Sequence, residues 1–340
     1  MKKRWKVGAA AVCMSLLVGL TAYAGSWQES FGRLWWKNDD GSYPTSGWHW
    51  INEKNDGFAE CYYFDEKGFV LRNTTTPDGY TVNENGEWVI DEIVQTQKVP
   101  VIGTLAPEEP YQDTKLLFGK MSSDGYDDME YFLHIPENAT ENMPMIVVLK
   151  NFMNAKSAEQ PLKEPMSQYL LNNPEKFPAY VLIPNLYYRD ANSYYDYQLH
   201  SIARLIQLVA QDKKVDMNRI SITGGSQSAS GTIKMVSEYP ELFSCAVPCA
   251  LFSNGDIASK NKIAIAASKV PTWFIGEDLP IVNYYGTLTV EKINSLGGNA
   301  WFTLDEGAEH SQCGGFKANV DKFGVVDWML SQTRATIKNK

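Results

Sequence analysis

From residue 111 onward the chain alternates two apolar patterns, and that alternation leaves few folds open to it. Short continuous apolar runs recur at Met145-Ile146-Val147-Val148-Leu149, Tyr180-Val181-Leu182-Ile183, Ile220-Ser221-Ile222-Thr223, Ser244 to Ala250, Thr272 to Ile275 and Trp301 to Leu304, and Tyr131 to Ile135 is strand-like as well. A run that is apolar at successive positions suits a strand buried on both faces. Between the runs, apolar residues fall at helical spacing, as at Ile202, Leu205, Ile206 and Val209, and further helices are expected near 287–296 and 317–332. Strands alternating with helices imply an α/β architecture, a mostly parallel sheet with helices on both faces.

One junction carries chemistry. In Asn218-Arg219-Ile220-Ser221-Ile222-Thr223-Gly224-Gly225-Ser226-Gln227-Ser228-Ala229-Ser230 a strand ends at Thr223 and a helix begins after Ser226. A strand-to-helix turn that presents a nucleophile is strained and crowded, so it needs small residues on both sides. Gly224 and Gly225 precede Ser226, and Ser228 stands where such a motif usually has its second glycine. The same residues also fit an ordinary turn with Ser226 as a helix N-cap. With Ser226 as nucleophile, the Gln227 N–H at the helix start would face the developing oxyanion, and a second donor would come from Asn151 or Phe152 after the Met145–Leu149 strand.

These residues resemble those of secreted α/β-hydrolase esterases related to polyhydroxybutyrate depolymerases and to feruloyl or acetyl-xylan esterases. The resemblance rests on Asp216-Met217-Asn218-Arg219-Ile220 before the turn, Tyr239-Pro240-Glu241-Leu242-Phe243 after it, and Glu306-Gly307-Ala308-Glu309-His310-Ser311 after the last strand. It spans roughly residues 120 to 335 and implies the α/β-hydrolase fold with a catalytic serine, acid and histidine in that chain order. His310 is the expected base. Of the four histidines, His49 lies in the N-terminal region, His134 in a strand and His200 in a helix, while His310 follows the final strand. The expected acid is Asp278, with Glu277 and Asp256 as alternatives; the family's acid position, three residues after Gly276, holds Leu279. Lys150-Asn151 stands where the family carries His-Gly.

Residues 25 to 90 have a different character. They hold six of the ten tryptophans, Trp27, Trp35, Trp36, Trp48, Trp50 and Trp88, punctuated by glycines. Trp35-Trp36-Lys37-Asn38-Asp39-Asp40-Gly41 is echoed by Tyr62-Tyr63-Phe64-Asp65-Glu66-Lys67-Gly68, and each block suits a short hairpin. With Gly47-Trp48, and with Pro77-Asp78-Gly79-Tyr80 leading to Asn85-Gly86-Glu87-Trp88, the segment resembles cell-wall-binding repeats of the choline- and glucan-binding type. That resemblance implies ligand contacts by Trp35, Trp36, Trp48, Tyr62 and Tyr63 to a cell-wall polymer or glucan; the other reading is that these rings only pack hairpin on hairpin. Residues 91 to 110, interrupted by Pro100, Pro107 and Pro110, read as a linker to a hydrolase region over 111–340.

The start of the chain reads as an export signal over residues 1–24: Lys2, Lys3, Arg4 and Lys6, an apolar run from Val7 to Leu20, then Ala22-Tyr23-Ala24. Its removal takes four positive charges from a chain of net charge −9, leaving −13. So acidic a protein argues against nucleic acid and anionic lipid as partners, and no later stretch is apolar enough to span a bilayer. Cys61, Cys245, Cys249 and Cys313 show no zinc spacing; a Cys249–Cys313 bridge and separate thiols are both open. Neither a metal nor a cofactor motif stands out. The reading is an exported serine esterase acting on an ester substrate; a peptidase on the same fold, and a wall-binding protein with a degenerate hydrolase domain, are the alternatives.

Overall fold

The structure is a computed structural model. It describes residues 25–38, 40–54, 56–99, 101, 103–112, 114–122, 128–150, 160–163, 165–185, 194–250, 259–308 and 322–334.

The aromatic N-terminal segment is built from small antiparallel sheets. Strand β1 (Gly25–Ser30) pairs with β2 (Arg33–Asn38). Strand β3 (Gly47–Ile51) pairs with β4 (Phe58–Phe64). Strands β5 (Thr74–Thr75), β6 (Thr81–Val82), β7 (Trp88–Ile90) and β8 (Ile93–Val94) form a third sheet, and β9 (Thr96–Lys98) returns to pair with β4. One turn design recurs four times. The N–H groups of Gly41, Gly68, Gly79 and Gly86 donate to the carbonyls of Asn38, Asp65, Thr76 and Asn83, three residues back. Each glycine has φ between 82° and 94°, which a side chain would strain. The polar first residue closes the turn: Asp65 Oδ1 accepts from the N–H groups of Lys67 and Phe69, and Asn83 Oδ1 from those of Asn85 and Glu87. Trp36, Tyr62, Phe64, Val70 and Ile51 are the core of this module, with Trp27 packed against them.

The stretch read as a linker is structured at several points. Besides β8 and β9 it contains β10 (Thr104–Leu105) and β11 (Glu109–Pro110), and both pair with β12 (Leu116–Ser122). Pro107 lies between β10 and β11, and Pro110 ends β11, a strand that pairs only with β12.

The main sheet continues with β13 (Met129–His134), β14 (Met145–Leu149), β15 (Tyr180–Asn185), β16 (Ile220–Gly225), β17 (Cys245–Cys249), β18 (Thr272–Glu277) and β19 (Ala300–Asp305). Its order is β10-β12-β13-β15-β14-β16-β17-β18-β19, with β12 to β15 joined antiparallel and β15 through β19 parallel. Helices α1 (Pro165–Asn172), α2 (Tyr194–Asp212), α3 (Gln227–Glu238), α4 (Ser259–Ser268), α5 (Pro280–Ser295) and α6 (Val325–Ser331) cover it. Residues of α2 to α5 pack on one face and those of α1 and α6 on the other, so the sheet has a separate apolar core on each side. Strand β14 is buried at every position, as its unbroken apolar run implied. Among the described residues no helix is long and apolar enough to cross a membrane.

The N-terminal module does not hang free. Phe58 is buried in the core of the α2–α3 side, its ring 5.8 Å from that of Tyr239. The Tyr239 hydroxyl donates to Asp56 Oδ2 at 2.9 Å, the Gln207 amide donates to the Asp56 carbonyl, and Arg204 donates to the Lys54 carbonyl at 3.3 Å. Burial raises the Asp56 carboxyl above its usual range. These contacts lie on the later turns of α2 and at the end of α3, away from the end of α3 that begins at Ser226.

Candidate active site

In the parallel part of the sheet, the strand order reverses between β14 and β16: β15 lies on one side of β14, and β16 to β19 run outward on the other. Ligands of open α/β sheets bind beyond the carboxyl ends of the strands at such a point. Ser226 sits there. Strand β16 is buried throughout and ends at Gly225; α3 begins at Gln227.

Ser226 has φ 56° and ψ −122°. An N-capping serine takes an extended φ/ψ and turns its hydroxyl to the helix amides, whereas here the backbone is in a region that glycine favours and the side chain makes no cap hydrogen bond. A non-glycine residue held this way costs roughly 1–3 kcal/mol. The conformation is fixed on both sides: the Ser226 N–H donates to the Cys249 carbonyl at 2.9 Å, and its carbonyl accepts from Ala229 N–H at 3.0 Å. Ser226 is half-buried and Gln227 exposed. As the first residue of α3, Gln227 carries one of the four amides that have no acceptor within a helix.

The turn is closed by contact between Gly224 and Ser228. A Cβ on Gly224 would lie 2.6 Å from the Ser228 carbonyl oxygen and 2.7 Å from its Cβ. Glycine is therefore required at 224, and position 228 accepts only a small residue. Gly224→Ala is expected to lower stability by about 1–3 kcal/mol, as overpacking does, and to displace Ser226; thermal unfolding and serine labelling together check this.

Strand β18 delivers the carboxylates. Glu277, its last residue, is fully buried. Asp278 is exposed; its Oδ2 accepts from Gly307 N–H at 3.0 Å and its own N–H donates to the Ala308 carbonyl at 3.1 Å. Asp278 thus binds the segment that runs on, two residues later, to His310. Leu279, at the family's acid position, is the N-cap of α5 and 38% exposed. His310, Asn151, Phe152, Asp256 and Cys313 lie outside the described residues.

The other histidines are placed elsewhere. His134 pairs with Val181, which pairs with Ile146, level with Ser221. That is five residues down the strand from Ser226, about 16 Å at strand rise. Burial, with a smaller contribution from the charge of Lys115, holds the His134 imidazole below its ordinary value of 6.5. Because the folded state binds this proton less well than the unfolded chain, His134 costs no stability above 6.5 and costs progressively more as pH falls below it. His134→Leu should therefore flatten the fall of the melting midpoint between pH 7.5 and pH 5.

In the N-terminal module the five expected ligand residues divide. Trp36 and Tyr62 are 1% and 3% exposed and offer no surface to a ligand, because they fill the module's core. Trp35, Trp48 and Tyr63 are half-buried. Trp48 stands in a ring cluster with Tyr63 at 5.3 Å, Trp88 at 5.8 Å and Tyr80 at 6.0 Å, its indole N–H donating to Asp78 Oδ2 at 2.8 Å. Tyr80, Trp88 and the exposed Trp50, which lies 6.3 Å from Trp88, were not among the expected contacts. The signal for Tyr80 and Trp88 was the Gly79-Tyr80 and Glu87-Trp88 pairs at the recurring turn.

No protein-family model matches the chain, and no curated protein matches it. Solved structures do share its architecture. A methylesterase superimposes with TM-score 0.52 at 11% identity, over 70% of this chain and 60% of its own. A thermostable esterase gives TM-score 0.49 at 19% identity over 76% and 70% of the two chains, and Est1E from Butyrivibrio proteoclasticus gives 0.48 at 12% over 63% and 97%. The first of these and the strand order agree: the chain has the α/β-hydrolase fold, preceded by a small module of β-hairpins.

Proposed function

We propose that the protein is an exported serine hydrolase that cleaves carboxylic esters. The observation that carries this reading is the backbone of Ser226, held at positive φ between a buried strand and a helix N-terminus, at the carboxyl edge of the sheet where the strand order reverses. Strain of this kind persists where surrounding structure enforces it and is typical of nucleophiles on sharp turns.

In this reading Ser226 Oγ attacks the ester carbonyl as His310 takes its proton. The oxyanion of the tetrahedral intermediate is met by the Gln227 N–H and by an amide of Asn151 or Phe152. The intermediate collapses to an acyl-serine, and the alcohol leaves with the proton from His310; water activated by His310 then releases the acid and restores Ser226. Asp278 orients His310, a role supported by its bonds to Gly307 and Ala308. The basic and apolar leader ending at Ala22-Tyr23-Ala24 supports export. The Trp48 ring cluster supports attachment to a cell-wall polymer or glucan through residues 25–90.

The test is a substrate panel: short-chain acyl esters, acetylated and feruloylated oligosaccharides, and peptide amides. Turnover of the esters supports the proposal. Turnover of the amides alone would make the protein a peptidase, and no turnover with no reaction at Ser226 would make it a binding protein.

A further inference from the structure

Lys150 is the residue after β14, and it is 1% exposed. Leu149 pairs with Gly224, so Lys150 is level with Gly225, one residue from Ser226 on the neighbouring strand and about 5 Å away at the Cα. Its side chain alternates away from Leu149 and runs toward β15, where the ammonium donates to Asn185 Oδ1 at 3.1 Å. Asn185 ends β15 and is itself 2% exposed. Its amide donates to Glu130 Oε2 at 3.3 Å, and Glu130 pairs with Lys120 at 2.9 Å near solvent. A polar chain thus runs from the carboxyl ends of β14 and β15 past the amino end of β13 to Lys120 near the end of β12, from the crevice to the surface.

A buried ammonium is costly to desolvate, and an apolar side chain of the same length usually serves packing as well or better. Packing alone does not call for a lysine here, and while its ammonium lies on the β15 side, its backbone stands level with Gly225, beside the turn that carries the candidate nucleophile. We propose that Lys150 is a positioning residue for the Ser226 site: gripped by Asn185, its ammonium pins the end of β14 at the crevice and fixes the point from which the chain leaves toward Asn151 and Phe152. This rests on the reading of Ser226 as a nucleophile.

The test uses the full-length chain, its Ser226 labelled by a fluorophosphonate, with turnover of a p-nitrophenyl ester and thermal unfolding measured alongside. Lys150→Met should slow both turnover and labelling by about 30-fold, less than the roughly 100–1,000-fold for outright loss of an oxyanion donor. KM should stay within about threefold of wild type, and a single cooperative melt should persist. Lys150→Arg should recover part of the loss. Asn185→Leu should also slow both, and the double variant should lose clearly less than the two single losses combined, because the two side chains share a contact. Labelling and kcat within about twofold of wild type in both Lys150→Met and Asn185→Leu, or losses that add in the double variant, would overturn the proposal. Should Lys150→Met fail to fold, Lys150→Arg and Asn185→Leu decide it by the same kcat-against-KM criterion. A wild-type protein that neither labels nor turns over ester would overturn the reading of Ser226 instead, so the two failures are distinct.

Discussion

Ser226→Ala is expected to abolish ester hydrolysis, with kcat falling on the order of 10⁴-fold or more, as loss of the nucleophile does in serine hydrolases. The melting midpoint should stay close to that of the wild type, because alanine keeps the same Cβ in the same strained backbone. Ser226→Gly should be equally inactive but more stable, by about 1 kcal/mol, since glycine adopts φ 56° without a Cβ clash. The pair of variants separates chemistry from strain: a serine placed there only to cap a helix would lose stability on change to alanine and activity in neither variant.

The second large effect lies far from that site. Phe58→Ala should destabilise the whole protein by about 3–5 kcal/mol, the usual cost of removing a buried phenylalanine. Phe58 belongs in sequence to the aromatic hairpin module but in space to the core of α2 and α3. Wild-type unfolding is therefore expected as one transition by calorimetry, covering module and hydrolase domain together, with the variant shifted as a whole. Tyr239→Phe should act in the same direction by about 1–3 kcal/mol, because it strips a hydrogen bond from the buried Asp56 carboxylate. A module that melts separately in the wild-type protein would contradict this coupling.

How much of this was legible in the sequence depends on which force placed each element. Strand β14 was read to its ends, since double burial leaves an unbroken apolar run with polar or proline neighbours. The Ser226 turn was legible for a related reason: only small residues fit it, and the Gly224–Ser228 contact is the physical form of that rule. The short strands at 93–94, 96–98, 104–105 and 109–110 were not legible, because strands of two or three residues bury little and have no period to detect. The buried Asp56 and Lys150 escaped for the opposite reason. A charged residue reads as surface, and only the fold shows Tyr239 beneath the one and Asn185 beside the other. In the module, aromatic residues that look alike in the repeat separate into core and surface by strand alternation, so Trp36 points in while Trp35 keeps an open face.

The central claim is that Ser226 is a nucleophile. The most direct measurement is to react the protein with a fluorophosphonate, digest it and locate the adduct by mass spectrometry. A single phosphonylated serine at Ser226, formed in stoichiometric amount and absent from the Ser226→Ala protein, is the expected result. An adduct on another serine, or an intact and functional-looking protein that takes up none, would contradict it.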